Sequence, residues 1–397
     1  MENKKREVIF NHAEIIGSFI CDNDDAGNDT LKRNEVGGTD LGISINDYKN
    51  NRTFLLFGDT FSDEMGKFDG TNNWRSGVIA LTTDYDLSDN LKLDGFWTKE
   101  GFKSDAPAEN PLLSLHESLD GETTKIYTGG IIVNDAIYAF YMSRITDGVV
   151  NEDVNNYGGC IKSTDGGITW KRLPNLTWVD HAEGRSIKGT GNPPEILQKV
   201  VNLDIDKESI NDEETFDIDM KKHEAYHFTQ IFPIDGGDGY IYVFGRGGYG
   251  FGNEGIKLGR VKKENFEDFD AYEYLTSVEN QTWDKDNNKA CFIVKEPCRN
   301  LSVVYNKFAK KWVMSYFSHA LPKGNPICVR CADDIAGIWS EPQAILFPTD
   351  APNLYGAYLN ERWVENDGET FYFVYSRWNR KGIYRSYIGK CKITIKD

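Results

Sequence analysis

Short apolar runs separated by polar turns recur along the chain, and their spacing is that of β-strands. Leu41, Ile43 and Ile45 alternate with other residues, as in a half-buried strand. The run 54–57 is wholly apolar, which is typical of a strand buried on both faces, and the Asn-Asn pair at 50–51 is a turn sequence. No helical period of any length accompanies these runs, so the pattern predicts an all-β protein.

This unit of two strands joined by a polar turn occurs five times. The second strand of each copy is rich in aromatic and aliphatic residues and ends on a polar residue; the five are 54–59, 137–144, 240–246, 312–319 and 371–378. Further strand-forming residues follow, such as 159–163, 256–261 and 327–330. The segment 163–170 also fits the S-x-D-x-G-x-T-W hairpin found in sialidase-like propeller blades.

Units of four strands repeated five times predict a five-bladed β-propeller. We expect a single catalytic domain over residues 1–397, because all-β propellers of this length occur as single units. Between about 203 and 222 the chain is rich in Asp and Glu, which predicts a solvated acidic insertion.

The polar residues at the ends of the second strands occupy matching positions. Equivalent positions of propeller blades surround the central axis, so these residues should line a common funnel: Asp59, Arg144, Arg246, His319 and Arg377. Such charges would not be tolerated unpaired in a core. The alternative is that each arginine is structural and pairs with an acid of the neighbouring blade.

Asp40 and Asp59 stand at the ends of two consecutive strands and are the candidate catalytic residues. Two carboxylates held on rigid elements suit acid–base or nucleophilic hydrolysis of a sugar bond. The alternative is that both residues only form turns, since Gly-Asp punctuates many strands.

The remaining candidates are expected to bind substrate. They are Arg144, His227, Arg246, Tyr249, Asn300, His319, Arg377 and Trp378. Tyr249 lies in a glycine-rich stretch, 245–252, that lacks the Gly-Lys-Ser/Thr ending of a phosphate-binding loop, so we interpret it as a rim of the funnel.

Two motifs resemble metal sites. His223 and His227 match H-E-x-x-H, but the sequence predicts a strand from 227 to 232, where residues four apart lie about 13 Å from each other, too far to share a zinc ion. Cys328 and Cys331, with Cys291 and Cys298, could suggest a four-cysteine zinc site. However, Cys328 and Cys331 are three residues apart on a predicted strand, so they point to opposite faces. We therefore expect neither a metal nor another cofactor.

Charge and composition limit the kinds of molecule that we expect the protein to bind. The formal net charge of −17 argues against a nucleic acid or an anionic membrane, and no apolar run is long enough to span a bilayer. Aromatic residues make up 13% of the chain, which suits strands and a surface on which sugars stack. An oligo- or polysaccharide is the expected partner of a monomer or small homo-oligomer.

Seven scattered cysteines, an odd number, indicate reduced thiols rather than a disulfide framework. The first residues lack the apolar core of a signal peptide. The sequence thus indicates a cytoplasmic protein, or a secreted or periplasmic one from which a leader has been removed.

Several motifs in order resemble the domain-of-unknown-function family 4185. They are 39–42 (Thr-Asp-Leu-Gly), 57–61 (Phe-Gly-Asp-Thr-Phe), 301–306, 337–340 and 372–378. Part of that family is classed as glycoside hydrolase family 183, the endo-D-arabinofuranases. The resemblance implies a five-bladed propeller that cleaves α-D-arabinofuranosyl linkages of an arabinan, with Asp40 and Asp59 as the catalytic pair.

The sequence therefore predicts a glycoside hydrolase acting on furanosidic linkages, with Asp40 as nucleophile or base, Asp59 as general acid, and the order of these roles open. Two alternatives remain. One is a non-catalytic carbohydrate-binding propeller, and the other is an enzyme for an anionic sugar or a glycoside phosphorylase, which the three arginines would suit.

Overall fold

The computed structural model describes residues 7–64, 73–112, 122–146, 153–180, 221–247, 255–320, 324–379 and 382–396. Its strands, in chain order, are β1 (Glu7–Phe10), β2 (Glu14–Ser18), β3 (Gly38–Asp47), β4 (Arg52–Phe61), β5 (Val78–Thr82), β6 (Gly95–Thr98), β7 (Gly101–Lys103), β8 (Glu122–Val133), β9 (Ala136–Thr146), β10 (Asp153–Ser163), β11 (Lys171–Arg172), β12 (Trp178–Val179), β13 (Gln230–Asp235), β14 (Tyr240–Arg246), β15 (Ile256–Lys262), β16 (Glu273–Ser277), β17 (Thr282–Asp284), β18 (Phe292–Val294), β19 (Cys298–Asn306), β20 (Lys311–Ser318), β21 (Ile327–Ala332), β22 (Gln343–Leu346), β23 (Leu354–Glu365), β24 (Thr370–Asn379) and β25 (Ile383–Lys396).

Helical structure in these residues is short. One α-helix, α1, spans Thr30–Asn34. The 3₁₀ turns are Leu87–Asp89, Tyr226–Phe228, Lys263–Asn265, Phe269–Ala271, Asn287–Lys289 and Asn366–Gly368.

The strands form five antiparallel sheets, which are the blades of a propeller. Blade one is β3-β4-β5-β6-β7, and blade two is β8-β9-β10-β11 with β12 beside β10. Blade three is β13-β14-β15-β16-β17 with β18 beside β15, and blade four is β19-β20-β21-β22. Blade five is β23-β24-β25-β1, with β2 also paired to β25. The predicted five-bladed β-propeller is thus confirmed.

The first strand of each blade lies nearest the axis. β3 packs on β8, β8 on β13, β13 on β19, β19 on β23, and β23 on β3, which closes a ring of inner strands. The predicted copies correspond to the two inner strands of each blade. Because these strands are antiparallel, the start of the first and the end of the second meet at the same end of the axis.

The two termini together close the ring. β25 continues blade five outward and pairs with both β1 and β2, so residues before the first predicted copy complete the last blade. Phe10 of β1 is 4% exposed and packs edge-on against Phe371. The sequence did not indicate this pairing, because its partners stand at opposite ends of the chain.

The third copy differs from its prediction at its start. The sequence pattern predicted a strand from His227, but residues 226–228 form a 3₁₀ turn and β13 begins at Gln230. The 3₁₀ turn is anchored by the amide of Phe228, which donates to the carbonyl of Ala225. The strand-spacing argument against the H-E-x-x-H motif therefore does not apply to this segment.

Two sequence features fall partly or wholly outside the described residues: Tyr249, and all but the last two positions of the acidic insertion 203–222. All seven cysteines are described, and no disulfide joins any of them. No helix in the described ranges is long and apolar enough to cross a membrane.

Loss of the Phe10 side chain should weaken the closure of the propeller. We expect Phe10→Ala to lower the free energy of unfolding by about 3 kcal/mol, because a buried aromatic side chain is removed. Ile15→Ala in the adjacent β2 is the control: Ile15 is 42% exposed, so its loss should cost below about 0.5 kcal/mol. Chemical denaturation measures both, and equal effects would contradict this account of the closure.

Candidate active site

Asp40 and Asp59 lie at the same end of blade one. Thr39 pairs with Thr60 and Leu41 pairs with Phe57, so Asp40 alone on β3 faces two residues of β4. This irregularity is a β-bulge, which bends the strand and re-aims a side chain. The bulge brings the two predicted carboxylates to one place.

Gly58 makes this approach possible. A Cβ atom at position 58 would lie 2.3 Å from Oδ1 of Asp40 and 3.2 Å from Cδ1 of Leu41. Any larger residue would therefore displace the Asp40 carboxyl group. The Gly-Asp pair at 58–59 is explained by this contact rather than by a turn, because both residues lie within β4.

The backbone after Asp40 is strained and held from blade five. Leu41 adopts φ +67°, a left-handed conformation that is uncommon for a non-glycine residue. Its amide donates to Oγ of Ser376 at 2.9 Å, and its carbonyl accepts from Oγ of Ser386 at 3.1 Å. Strained positions of this kind cluster at functional sites.

Two tyrosines of blade five surround the Asp40 carboxyl group. The hydroxyl of Tyr355 donates to Oδ2 at 2.7 Å, and Tyr384 also hydrogen-bonds to Asp40. Oδ1 is buried and has no hydrogen-bond partner among the described residues. Burial, and then the charge of Asp59, raise the pKa of Asp40 to about 7 despite the hydrogen bonds from the tyrosines.

Asp59 has a different environment. Oδ1 accepts from Oγ1 of Thr124 at 2.9 Å and from Nε1 of Trp74 at 3.1 Å. Trp74 is positioned by its neighbour Arg75, whose backbone pairs with that of Thr60. These hydrogen-bond partners of Asp59 thus come from blade two and from Trp74, whereas Tyr355, which bonds Asp40, comes from blade five.

Arg144 and Arg246 occupy the matching ends in blades two and three. Arg144 is buried and pairs in register with Thr124. Thr124 donates a hydrogen bond to Asp59, so the side chain of Arg144 lies on the same face of blade two as a residue that bonds Asp59. Arg246 is 2% exposed and donates to Oε1 of Gln230 at 3.1 Å. Both predicted arginines therefore stand at the carboxylate end of the axis.

His319 lies close to two cationic groups. Burial, and then the charges of Arg299 and Arg246, lower the pKa of His319 to about 4, so its ring is neutral at pH 7. Its Nε2 is buried without a hydrogen-bond partner among the described residues. Arg299, which was not among the predicted site residues, thus adds positive charge on this side.

Asn300 lies at a bulge of the inner strand of blade four. It adopts φ +50°, and its Nδ2 donates to the hydroxyl of Tyr358 at 2.9 Å. The charge of Asp40 acts on Tyr358, whose pKa is raised first by burial. The Asn300–Tyr358 pair therefore links blade four to the neighbourhood of Asp40.

Arg377 and Trp378 lie farther out on blade five. The guanidinium of Arg377 donates to the carbonyl of Pro352 and lies over Tyr387, and no described contact joins it to either carboxylate. Trp378 is 41% exposed and packs edge-on against Tyr384. Trp378 is thus an exposed aromatic surface next to a residue that bonds Asp40.

The two histidines of the H-E-x-x-H motif have different surroundings. His223 is buried, bonds the carbonyl of Thr177 through Nδ1 and stacks on Phe269. His227 packs against Tyr226 and Phe292. In the described ranges no three His, Cys, Asp or Glu side chains are placed to hold a metal ion.

The residues that bond the two acids were not predicted from the sequence. Tyr355, Tyr384, Thr124 and Trp74 were not among its candidates. One signal was available for Tyr355: it precedes Gly356 near the start of the fifth inner strand, as Asp40 precedes a bulge near the start of the first. Thr124, Trp74 and Tyr384 reach the pair only through the packing of separate strands.

The chain belongs to the family described as "Domain of unknown function (DUF4185)", whose model matches residues 25–390. None of the curated proteins compared with the chain matches it.

Solved structures share the fold at low sequence identity. A "putative hydrolase" from Bacteroides ovatus ATCC 8483 has a TM-score of 0.55 at 11% identity, over 91% of this chain and 88% of that one. The catalytic domain of the GH62 α-L-arabinofuranosidase of Coprinopsis cinerea has a TM-score of 0.47 at 9% identity, over 97% and 96%. A xylan β-1,4-xylosidase of Bacillus halodurans C-125 has a TM-score of 0.46 at 10% identity, over 91% and 53%.

The raised pKa of Asp40 makes the stability of the protein depend on pH. The folded state holds a proton that the unfolded state releases near pH 3.8, so stability falls as pH rises from about 4 to about 7. Asp40→Asn removes this ionisation. We expect the variant to be more stable than wild type by on the order of 2 kcal/mol at pH 8, with the difference shrinking towards pH 4.

Asp165→Asn provides a control of opposite sign. Although burial alone would raise the pKa of Asp165, hydrogen bonds from Thr169 and Ser163 lower it to about 2. That carboxylate therefore stabilises the fold above pH 3.8, and its loss should destabilise at pH 8. Denaturation at pH 4, 6 and 8 measures both variants, and a pH-independent effect of Asp40→Asn would contradict the assigned burial.

Proposed function

We propose that the protein is a glycoside hydrolase that cleaves furanosidic linkages, most specifically α-D-arabinofuranosyl bonds of an arabinan-type glycan. The observation that carries the proposal is the pair of unlike acids, Asp40 and Asp59, held at one end of a propeller axis. The choice of linkage rests on the resemblance of the sequence motifs to the endo-D-arabinofuranases.

The environments of the two acids support a division of roles. Asp40, whose pKa of about 7 keeps part of it protonated at neutral pH, is the proton donor to the leaving oxygen. Asp59, which accepts hydrogen bonds from Thr124 and Trp74, is the base or nucleophile. This assignment reverses the order that the sequence favoured, because burial of Asp40 was not visible there.

The reaction then proceeds as general acid catalysis with a second carboxylate. Asp40 transfers its proton to the glycosidic oxygen while the bond from that oxygen to the anomeric carbon breaks. Asp59 either attacks the anomeric carbon or takes a proton from the attacking water, and the two routes give retained or inverted products. Burial, and then the charge of Asp40, raise the pKa of Tyr384. Tyr384 therefore remains protonated and holds the Asp40 side chain in place.

An anionic sugar is a second candidate substrate. It is favoured by the charges of Arg299 and Arg246, both of which act on His319 at the carboxylate end of the axis. Guanidinium groups bind carboxylate and phosphate through paired hydrogen bonds. Uronic-acid and phosphorylated glycans therefore belong in any substrate panel, and addition of inorganic phosphate would reveal a phosphorylase.

The catalytic pair is tested with a glycan panel that includes D-arabinan. Asp40→Asn and Asp59→Asn should each lower kcat by at least about 100-fold, because each removes a proton-transfer or nucleophilic group. In the wild type, kcat should fall as pH rises through about 7, where Asp40 loses its proton. Wild-type rates in both variants would refute the assignment, and release of no sugar from any glycan would favour a carbohydrate-binding protein.

Gly58→Ala tests the close approach of the two strands. The added methyl group would displace the Asp40 carboxyl group, so kcat should fall roughly 10- to 100-fold. Gly259→Ala is the matched control, because its Cβ would lie 2.9 Å from Cγ2 of Val243 in blade three, away from the acids. That variant should lose stability but keep kcat, and equal kcat in both variants would count against the contact.

A further inference from the structure

A cavity opens at the end of the propeller axis opposite the two carboxylates. Its volume is about 720 Å³, and it is lined by the later residues of all five inner strands, such as Asn46, Ile132, Phe232, Val303 and Asn360. No residue of the carboxylate pair or its hydrogen-bond partners lines it. It is therefore a separate feature of the fold and not an extension of the candidate active site.

The distance along the inner strand separates the two ends. Asn46 follows Asp40 by six residues on β3. A strand advances about 3.3 Å per residue, which corresponds to roughly 20 Å. A small sugar bound in one site would not reach the other.

Asn360 presents an unused hydrogen-bond donor at this cavity. Its Oδ1 accepts from Nδ2 of Asn46 and from the amide of Arg362, both at 2.9 Å, which fixes the orientation of the amide group. The residue is only 2% exposed, and its Nδ2 has no hydrogen-bond partner among the described residues. A buried amide of this kind is costly unless a ligand or another polar group satisfies it.

Exposed aromatic rings flank the cavity. Tyr48 is 61% exposed, and its hydroxyl donates to Glu361. Tyr305 is 41% exposed and is braced edge-on by Trp312 at a centroid distance of 5.4 Å. Rings held in this way, with one face accessible, provide flat surfaces against which sugar rings pack.

The charges of the wall point to an uncharged ligand. The carboxylates at its edge are already engaged: Asp47 with Arg52 at 2.8 Å, and Asp135 with Lys49 at 2.8 Å. Glu361 accepts from the Tyr48 hydroxyl. An anion would find mostly acidic groups here, and no described cluster of three ligating side chains suits a metal ion.

Two further cavities extend this one across the face. A cavity of about 480 Å³ shares Tyr48, Tyr305 and Asn360 with it, and another of about 370 Å³ shares Trp312. Trp283 lines the latter and packs on the Arg260 guanidinium at 4.0 Å. Because they share lining residues, the three cavities are neighbours on this face, and together they are called the groove.

We propose that this groove is a second, non-catalytic binding site for a neutral oligosaccharide chain. Tyr48 and Tyr305 stack on sugar rings, and Nδ2 of Asn360 donates to a hydroxyl group. The proposal goes beyond the proposed hydrolase activity and does not depend on it, since the residues of the two sites do not overlap.

The test uses the Asp40→Asn/Asp59→Asn protein, which should leave bound glycans intact. Isothermal titration would measure binding of three neutral hexasaccharides, arabinohexaose, xylohexaose and cellohexaose, with hexagalacturonate as the anionic probe. We expect a binding event with at least one neutral probe that Tyr48→Ala and Tyr305→Ala each weaken about tenfold. Ile15→Ala, at a position on β2 that is 42% exposed and lines none of the three cavities, should leave binding unchanged.

The outcomes separate this proposal from the proposed function. The proposal would be overturned if no neutral probe binds or if only hexagalacturonate binds. It would also be overturned if both tyrosine variants bind with the same affinity as their parent. The hydrolase activity of wild type is measured independently, and Tyr48→Ala should keep the wild-type kcat on a short substrate. Two separate exposed tyrosines keep the test valid if one variant fails to fold.

Discussion

The packing of blade five against blade one is the constraint on which the carboxylate site depends. Ser376 and Ser386 hold the strained backbone of Leu41, and Tyr355 and Tyr384 bond the side chain of Asp40. All four residues come from strands that are in place only when the ring is closed. That closure in turn uses β1 and β2, which pair with β25. The packing between blade five and blade one therefore positions the carboxyl group of Asp40.

The asymmetry of the two acids follows from the same packing. Asp40 lies against blade five, where burial and the neighbouring carboxylate disfavour its ionised form. Asp59 faces the other way, towards Thr124 of blade two and Trp74, which donate hydrogen bonds to it. Two residues of the same type, separated by one bulge, thus have different hydrogen-bond partners.

The two ends of the axis differ in chemistry. Buried cations and a neutral histidine surround the carboxylate end, whereas amides and exposed tyrosines line the groove at the other end. Each inner strand contributes to both ends, because it crosses the full height of the propeller. One set of five strands therefore presents two separate surfaces.

The sequence by itself determined the all-β class, the five copies and the position of Asp40 and Asp59 at strand ends. These features are local: alternation, turn residues and repeats depend on neighbours in the chain. Only the tertiary structure decided which residues bond the acids and how the ring is closed. It also decided that residues 226–228 form a 3₁₀ turn and that Oδ1 of Asp40 is buried. Those features depend on contacts such as Tyr355 with Asp40, whose partners lie more than 300 residues apart. No local pattern records such a contact, because the pleat of a strand fixes which face a side chain occupies but not what lies opposite it.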